Sequence, residues 1–309
     1  MNRWIHLLTA AAMLFAAPAL AADKLAWKFR PQEKFIATVE QEIVGRAMLD
    51  KKEVLTGTRA VVRLGWETEK VEAGQATVKL KFERLLVVFV GAGQAPVRFD
   101  SAAKENPAEA KEVAGALQPL VGAELHLRIE PTGKIAAVEA SADTQRLLRR
   151  AAASGRLKQV FSPEGLEKLL RLALPRLPEG GVSLGDKWED ESSSETALGP
   201  TKTVYRSTYR GEALSGADKR WEWSIEPAIS FADGTNRHVG KLALGGEPVE
   251  AITTISAQAG SGRGAFDLQA GRLLSLEMKH EMTLETKLPT TTTKQQITTL
   301  TKSRLESAP

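Results

Sequence analysis

The chain has no cysteine in its 309 residues. Disulfides, cysteine-ligated zinc, iron–sulfur clusters and thiol chemistry are therefore excluded. A lipidated cysteine, as in a bacterial lipoprotein, is excluded too. Stability must come from burial and sheet pairing. Charge of one sign is also lacking. There are 42 basic and 38 acidic residues, a net of +4, which gives no reason to expect nucleic acid as a partner. Long apolar runs are missing beyond the first twenty or so residues. The longest, Leu85 to Gly93, has the length of a strand and not of a membrane span. Histidine is scarce: past the N-terminal segment only His126, His238 and His280 remain. None is paired with another ligand at i+2 or i+4, so no metal site is expected. No cofactor is expected either.

The first residues read as a secretory signal peptide. Asn2 and Arg3 give a positive start, and Trp4 to Leu20 is apolar. Ala19-Leu20-Ala21 is a small-x-small cleavage site, which places the mature N-terminus near Ala22. The protein is expected in the periplasm or outside the cell. Removing residues 1–21 from 309 leaves 288, enough for one large or two small domains. Subtracting the charge of Arg3 leaves about +3. An apolar fraction of 42% argues for a globular chain.

The dominant period in the mature chain is two. Val78, Leu80 and Phe82 alternate with Lys79, Lys81 and Glu83. Trp221, Trp223 and Ile225 alternate with Glu222 and Ser224, and Leu274 through Leu284 repeats the pattern. Each reads as a strand with one buried face. Glu72-Ala73-Gly74-Gln75, Pro131-Thr132-Gly133-Lys134 and Gln269-Ala270-Gly271-Arg272 read as hairpin turns. Thr290 to Thr301 reads as a last, more polar strand near an edge.

Three helices are predicted in the middle. One follows Pro107 to Leu120, one spans Ala142 to Ala153 with Ser141 as cap, and one opens at Ser162-Pro163-Glu164-Gly165. The third carries Leu166, Leu169, Leu170 and Leu174 at helical spacing. Pro175, Pro178, Gly180 and Gly181 end it. The predicted organisation is an N-terminal β region with helices over 22–175, a linker over 176–185 and a C-terminal antiparallel β region over 186–309. The predicted fold is α+β: long-stranded, strongly curved antiparallel sheet with about three helices on one face.

Four segments carry a family resemblance. They are Leu25-Ala26-Trp27-Lys28-Phe29 with Glu33-Lys34-Phe35, and Leu177-Pro178 with Gly185-Asp186-Lys187-Trp188. The others are Gly264-Ala265-Phe266-Asp267 with Gly271-Arg272-Leu273, and the Thr-rich end. On these the chain resembles a secreted bacterial family known only as a domain of unknown function. That resemblance implies no activity and no catalytic residue. In architecture the plan is also similar to periplasmic lipoprotein-carrier half-barrels.

Candidate chemistry is thin. Gly181-Val182-Ser183-Leu184-Gly185 matches a hydrolase pattern, but a nucleophile elbow needs a strand before it and a helix after it. A Pro/Gly linker precedes it and a strand follows from Trp188, with only His238 or His280 to serve as base. Gly260-Ser261-Gly262-Arg263-Gly264 offers amides for a phosphate, but no helix follows, so a flexible β-turn is the better reading. Glu189-Asp190-Glu191 with Glu195 lacks the spacing of a calcium loop. Arg146, Arg149, Arg150, Arg156 and Lys158 form a basic segment, read as a solvated helix surface rather than a lipid-facing one.

The expected function is therefore non-catalytic. The protein would bind a hydrophobic ligand, such as a lipid, or an envelope component on the concave face of the sheet. Leu166, Leu169, Leu170, Trp188, Trp221, Trp223 and Phe266 are the candidate lining residues. The alternative is an envelope assembly module that binds a protein partner through an exposed edge strand.

Overall fold

The computed structural model describes residues 23–49, 52–154, 157–196, 199–215, 218–244 and 247–308. The predicted leader and Arg156 lie outside the described residues. Six strands come first: β1 (Lys34–Leu49), β2 (Lys52–Glu72), β3 (Gln75–Val90), β4 (Val97–Asp100), β5 (Glu124–Ile129) and β6 (Ile135–Ala140). Helix α1 (Lys111–Leu117), flanked by two short 3-10 turns, lies between β4 and β5. Helices α2 (Ala142–Ala153), α3 (Lys158–Phe161) and α4 (Pro163–Ala173) follow β6. Then come β7 (Lys187–Thr196), β8 (Gly199–Ser215), β9 (Asp218–Phe231) and β10 (Arg237–Leu244). The chain ends with β11 (Glu247–Asp267), β12 (Arg272–Lys287) and β13 (Thr292–Ser307).

The α+β expectation does not hold. Thirteen strands join one antiparallel sheet, and the helices are short inserts between β4 and β7. Capped, periodic helices stand out in a sequence, yet here they are a minor part of the chain. The sheet order is β6-β5-β3-β2-β1-β13-β12-β11-β9-β8-β7, with β4 on β3 and β10 on β11. The regions before and after the 176–185 segment share this one sheet, because β1 pairs with β13 from Phe35–Ser307 to Ala47–Gln295.

The alternating pattern sets which face is buried. Val39, Val62 and Ser303 stand side by side on the inner face of β1, β2 and β13. Outward residues pair as ions, such as Arg59 with Glu40 at 2.7 Å and Arg63 with Glu83 at 3.1 Å. Exposed pairs of this kind contribute at most about 1 kcal/mol each. Burial dominates instead. Leu64, Phe82, Leu125 and Phe266 are fully buried, and each such side chain contributes roughly 1.5–3 kcal/mol.

The sheet curls strongly. Its edges, β6 and β7, are ten strand spacings apart in the order, or about 48 Å if the sheet were flat. Helix α4 is 11 residues long, about 16 Å. Yet one cavity is lined by Ile135, Val138 and Ala140 of β6, by α4 and by Asp190 of β7. Both edges therefore flank the same short helix. They do not pair with each other among the described residues, so the curl stays open.

The N-terminal segment ties one end of the curl. The Trp27 amide donates to the Pro131 carbonyl (2.8 Å) in the β5–β6 turn. The next amide, Lys28, donates to the Gly271 carbonyl (2.9 Å) in the β11–β12 turn. Both turns need glycine, at positive φ in Gly133 and Gly271. A Cβ at Gly133 would also meet the Trp27 indole nitrogen at 2.7 Å.

Candidate functional site

Helix α4 is the element around which the interior is built. The Ser162 side chain accepts a hydrogen bond from the Gly165 amide (3.1 Å), and Pro163 occupies the first turn. Leu174 and Pro175 stop the helix. Three sides of α4 face three different surroundings. Gly165, Lys168, Leu169 and Leu172 face β1, β2 and β13 across a cavity of about 380 Å³. Leu166, Leu170 and Leu174 face α2 and β6 across an open cleft of about 750 Å³. Arg171, together with Lys168 and Leu172, borders a space of about 40 Å³ against β7, β8, β9 and β12.

The first cavity is mostly apolar, with Val39, Ile43, Val62, Phe89 and Ile297 on its walls. Its polar groups are neutral amides and hydroxyls, including Gln41, Thr56, Thr58, Ser194 and Gln295. Lys168 is the one charged residue among the described residues that line it. No described carboxylate pairs with the Lys168 ammonium, and burial alone holds its pKa below the usual lysine value.

Arg171 behaves differently. It binds Glu167 at 2.9 Å, Asp190 at 2.8 Å and the Glu191 carbonyl at 2.7 Å. Nearby, burial followed by the charge of Asp190 pushes the Tyr205 phenol up to about 12. His280 is buried on β12 with Nε2 3.2 Å from the Gln258 amide oxygen. Its Nδ1 has no hydrogen-bond partner among the described residues. Burial, and then the positive charge of Lys168, hold His280 below its ordinary pKa. Toward the tied end, the Tyr209 hydroxyl donates to Asp23 at 2.6 Å.

All seven candidate lining residues lie inside or beside this interior, but not at one place. Leu169 lines the first cavity, and Leu166 and Leu170 line the cleft. Trp188 and Trp223 border the small space, with ring centroids 6.2 Å apart. Trp221 and Phe266 border none of these spaces and pack in the core, where Phe266 meets the Trp27 ring edge-on at 5.5 Å. Sequence reasoning missed Lys168, Arg171 and Tyr205. The signal for Lys168 was present, as a lysine inside an otherwise leucine-rich helix stripe.

Other candidates are relocated. Gly260 to Gly264 is not a turn: it lies within β11 and pairs with Met278 and neighbours on β12. A side chain at Gly264 would collide with the Trp223 ring, while a Cβ at Gly260 would meet Pro227 and one at Gly262 the Glu277 carbonyl. Ser183 lies in a turn, where its amide donates to Asp186 at 2.8 Å. His126, His238 and His280 are on β5, β10 and β12. Among the described residues no group of histidine and carboxylate side chains could hold a metal ion. No described helix is long and apolar enough to cross a membrane.

Residues 73–210 match the model of DUF6263, a family of unknown function. The resemblance to such a family therefore holds, over a stretch that runs from β3 to most of β8 and contains α4. No curated protein matches the chain. Among solved structures, one titled for lipid–protein interactions in lipovitellin aligns at 10% identity and a TM-score of 0.48. The alignment covers 91% of this chain and 26% of that one. A structure with a YmcC-like fold from Bacteroides fragilis NCTC 9343 aligns at 8% identity and a TM-score of 0.24, covering 92% and 98%. An outer membrane channel from Pseudomonas putida F1 aligns at 6% identity and a TM-score of 0.22, covering 91% and 97%. Similarity this distant says nothing of function.

Proposed function

We propose that this is an exported, non-catalytic protein that holds a hydrophobic ligand inside its curled sheet, against α4. The observation that carries this reading is the cavity of about 380 Å³ beneath Leu169 and Leu172. Ligand sites fall at roughly 300–1,000 Å³ and are mostly apolar with a few placed polar groups. The lining of this cavity fits that description. The cleft beside β6 lies against another side of the same helix.

The alternative reading as an assembly module loses the strand it was placed on, although β6 and β7 are edges of the sheet. It relied on the Thr-rich last strand as an exposed edge, and β13 pairs on both sides, with β1 and with β12.

Native mass spectrometry of protein purified from the periplasm, followed by organic extraction, tests the proposal. A stoichiometric apolar molecule that leaves on extraction is the expected result. A ligand-free mass, together with no uptake of added lipid, would overturn it. The same spectrum reads the N-terminus, which is expected near Ala22.

A further inference from the structure

We propose, resting on the reading above, that the ligand is an amphiphile with an anionic head group. The Lys168 ammonium receives the head and the apolar wall of the cavity receives the tail. The cavity of about 380 Å³ has one charged residue among its described lining, and it is this lysine. It sits at the middle of α4, away from both helix ends. It also borders the smaller space of about 40 Å³ beside Trp188 and Trp223.

Placing an ammonium among apolar side chains is costly unless an anion meets it. The chain supplies such anions elsewhere on the same helix. Arg171, one turn later, is matched by Glu167 and Asp190. Lys168 has no such match among the described residues. The same cavity is also lined by Gln41, Thr56, Thr58, Ser194 and Gln295, whose amides and hydroxyls can donate to a carboxylate or phosphate. An incoming anion would gain charge-assisted hydrogen bonds from a partly buried cation. A neutral ligand would leave the cation as it is.

The test is direct titration with decanoate, decyl phosphate, decanol and inorganic phosphate, read by intrinsic tryptophan fluorescence. The wild-type chain is expected to bind decanoate and decyl phosphate at least about tenfold more tightly than decanol. Lys168→Met should abolish that preference, keep decanol binding and leave the melting temperature unchanged or higher. Lys168→Arg should retain the preference. Equal wild-type affinity for decanoate and decanol would overturn the anionic head while leaving the hydrophobic-ligand reading intact. Binding of none of the ten-carbon probes would overturn both. Inorganic phosphate binding as tightly as decyl phosphate would also overturn the proposal, by making this a small-anion site. The head-group comparison needs only the wild-type protein, so it stands even where a variant folds poorly.

Discussion

His280 shows how one residue can be half legible. Its place in an alternating strand puts it on the buried side, and the structure agrees, at 5% exposure. The same alternation says nothing about its partners. Nε2 meets Gln258, and Nδ1 has no hydrogen-bond partner among the described residues. Burial and the charge of Lys168 favour the neutral ring. The folded-state pKa is thus below the unfolded value of about 6.5. A group shifted this way contributes stability that is present above the unfolded pKa and is lost as pH falls below it. Wild-type protein should therefore lose melting temperature between about pH 7.5 and about pH 5.5. His280→Gln should lose less over the same interval. Parallel losses in thermal melts would show that the ring does not titrate against the fold.

The elements that were legible are those whose causes are local. Ser141 and Ser162 cap α2 and α4, each accepting from the amide three residues on, at 3.1 Å. The turns at 72–75, 131–134 and 269–272 join the strands they were expected to join. Since α4 is the wall of the cavity, its cap has a measurable consequence. Ser162→Ala should cost about 1 kcal/mol of stability, seen as a lower urea midpoint with unchanged slope. A midpoint equal to wild type would mean that packing alone holds the helix start. Elements with distant causes were misread. Gly260 to Gly264 looks like a turn because glycine weakens a strand. The reason for glycine at 264 is the Trp223 ring on β9, about forty residues earlier in the chain. β13 looks like an edge because threonine and serine suit a wet face. Thr301 and Ser303 are in fact 4% and 3% exposed, inside the curl.

At the scale of the molecule, strand pairing was the part the sequence could not specify. A period of two tells which face is buried, not which strand lies alongside. The pairing of residue 35 with residue 307 closes the chain on itself and brings the two halves into one sheet. It also decides where the cavity sits, since β1 and β13 form adjoining walls beneath α4. Removing residues 292–308 would strip a partner from both β1 and β12. Two buried ladders would then become edges, with inner residues such as Val39, Leu276 and Leu284 open to water. Pairing with sequence-distant strands is slow to form, because loop-closure entropy is lost before the contacts form. The truncated chain is expected to lose its cooperative thermal transition and to expose apolar surface to a reporter dye. Trimming an edge would not do this: shortening β7 at Thr196 affects one ladder only, that with β8. A truncated chain that melted cooperatively near the wild-type temperature would show that the halves fold independently. The interior would then have to be complete within one of them, although its walls come from β1, β2, β7 and β13 together.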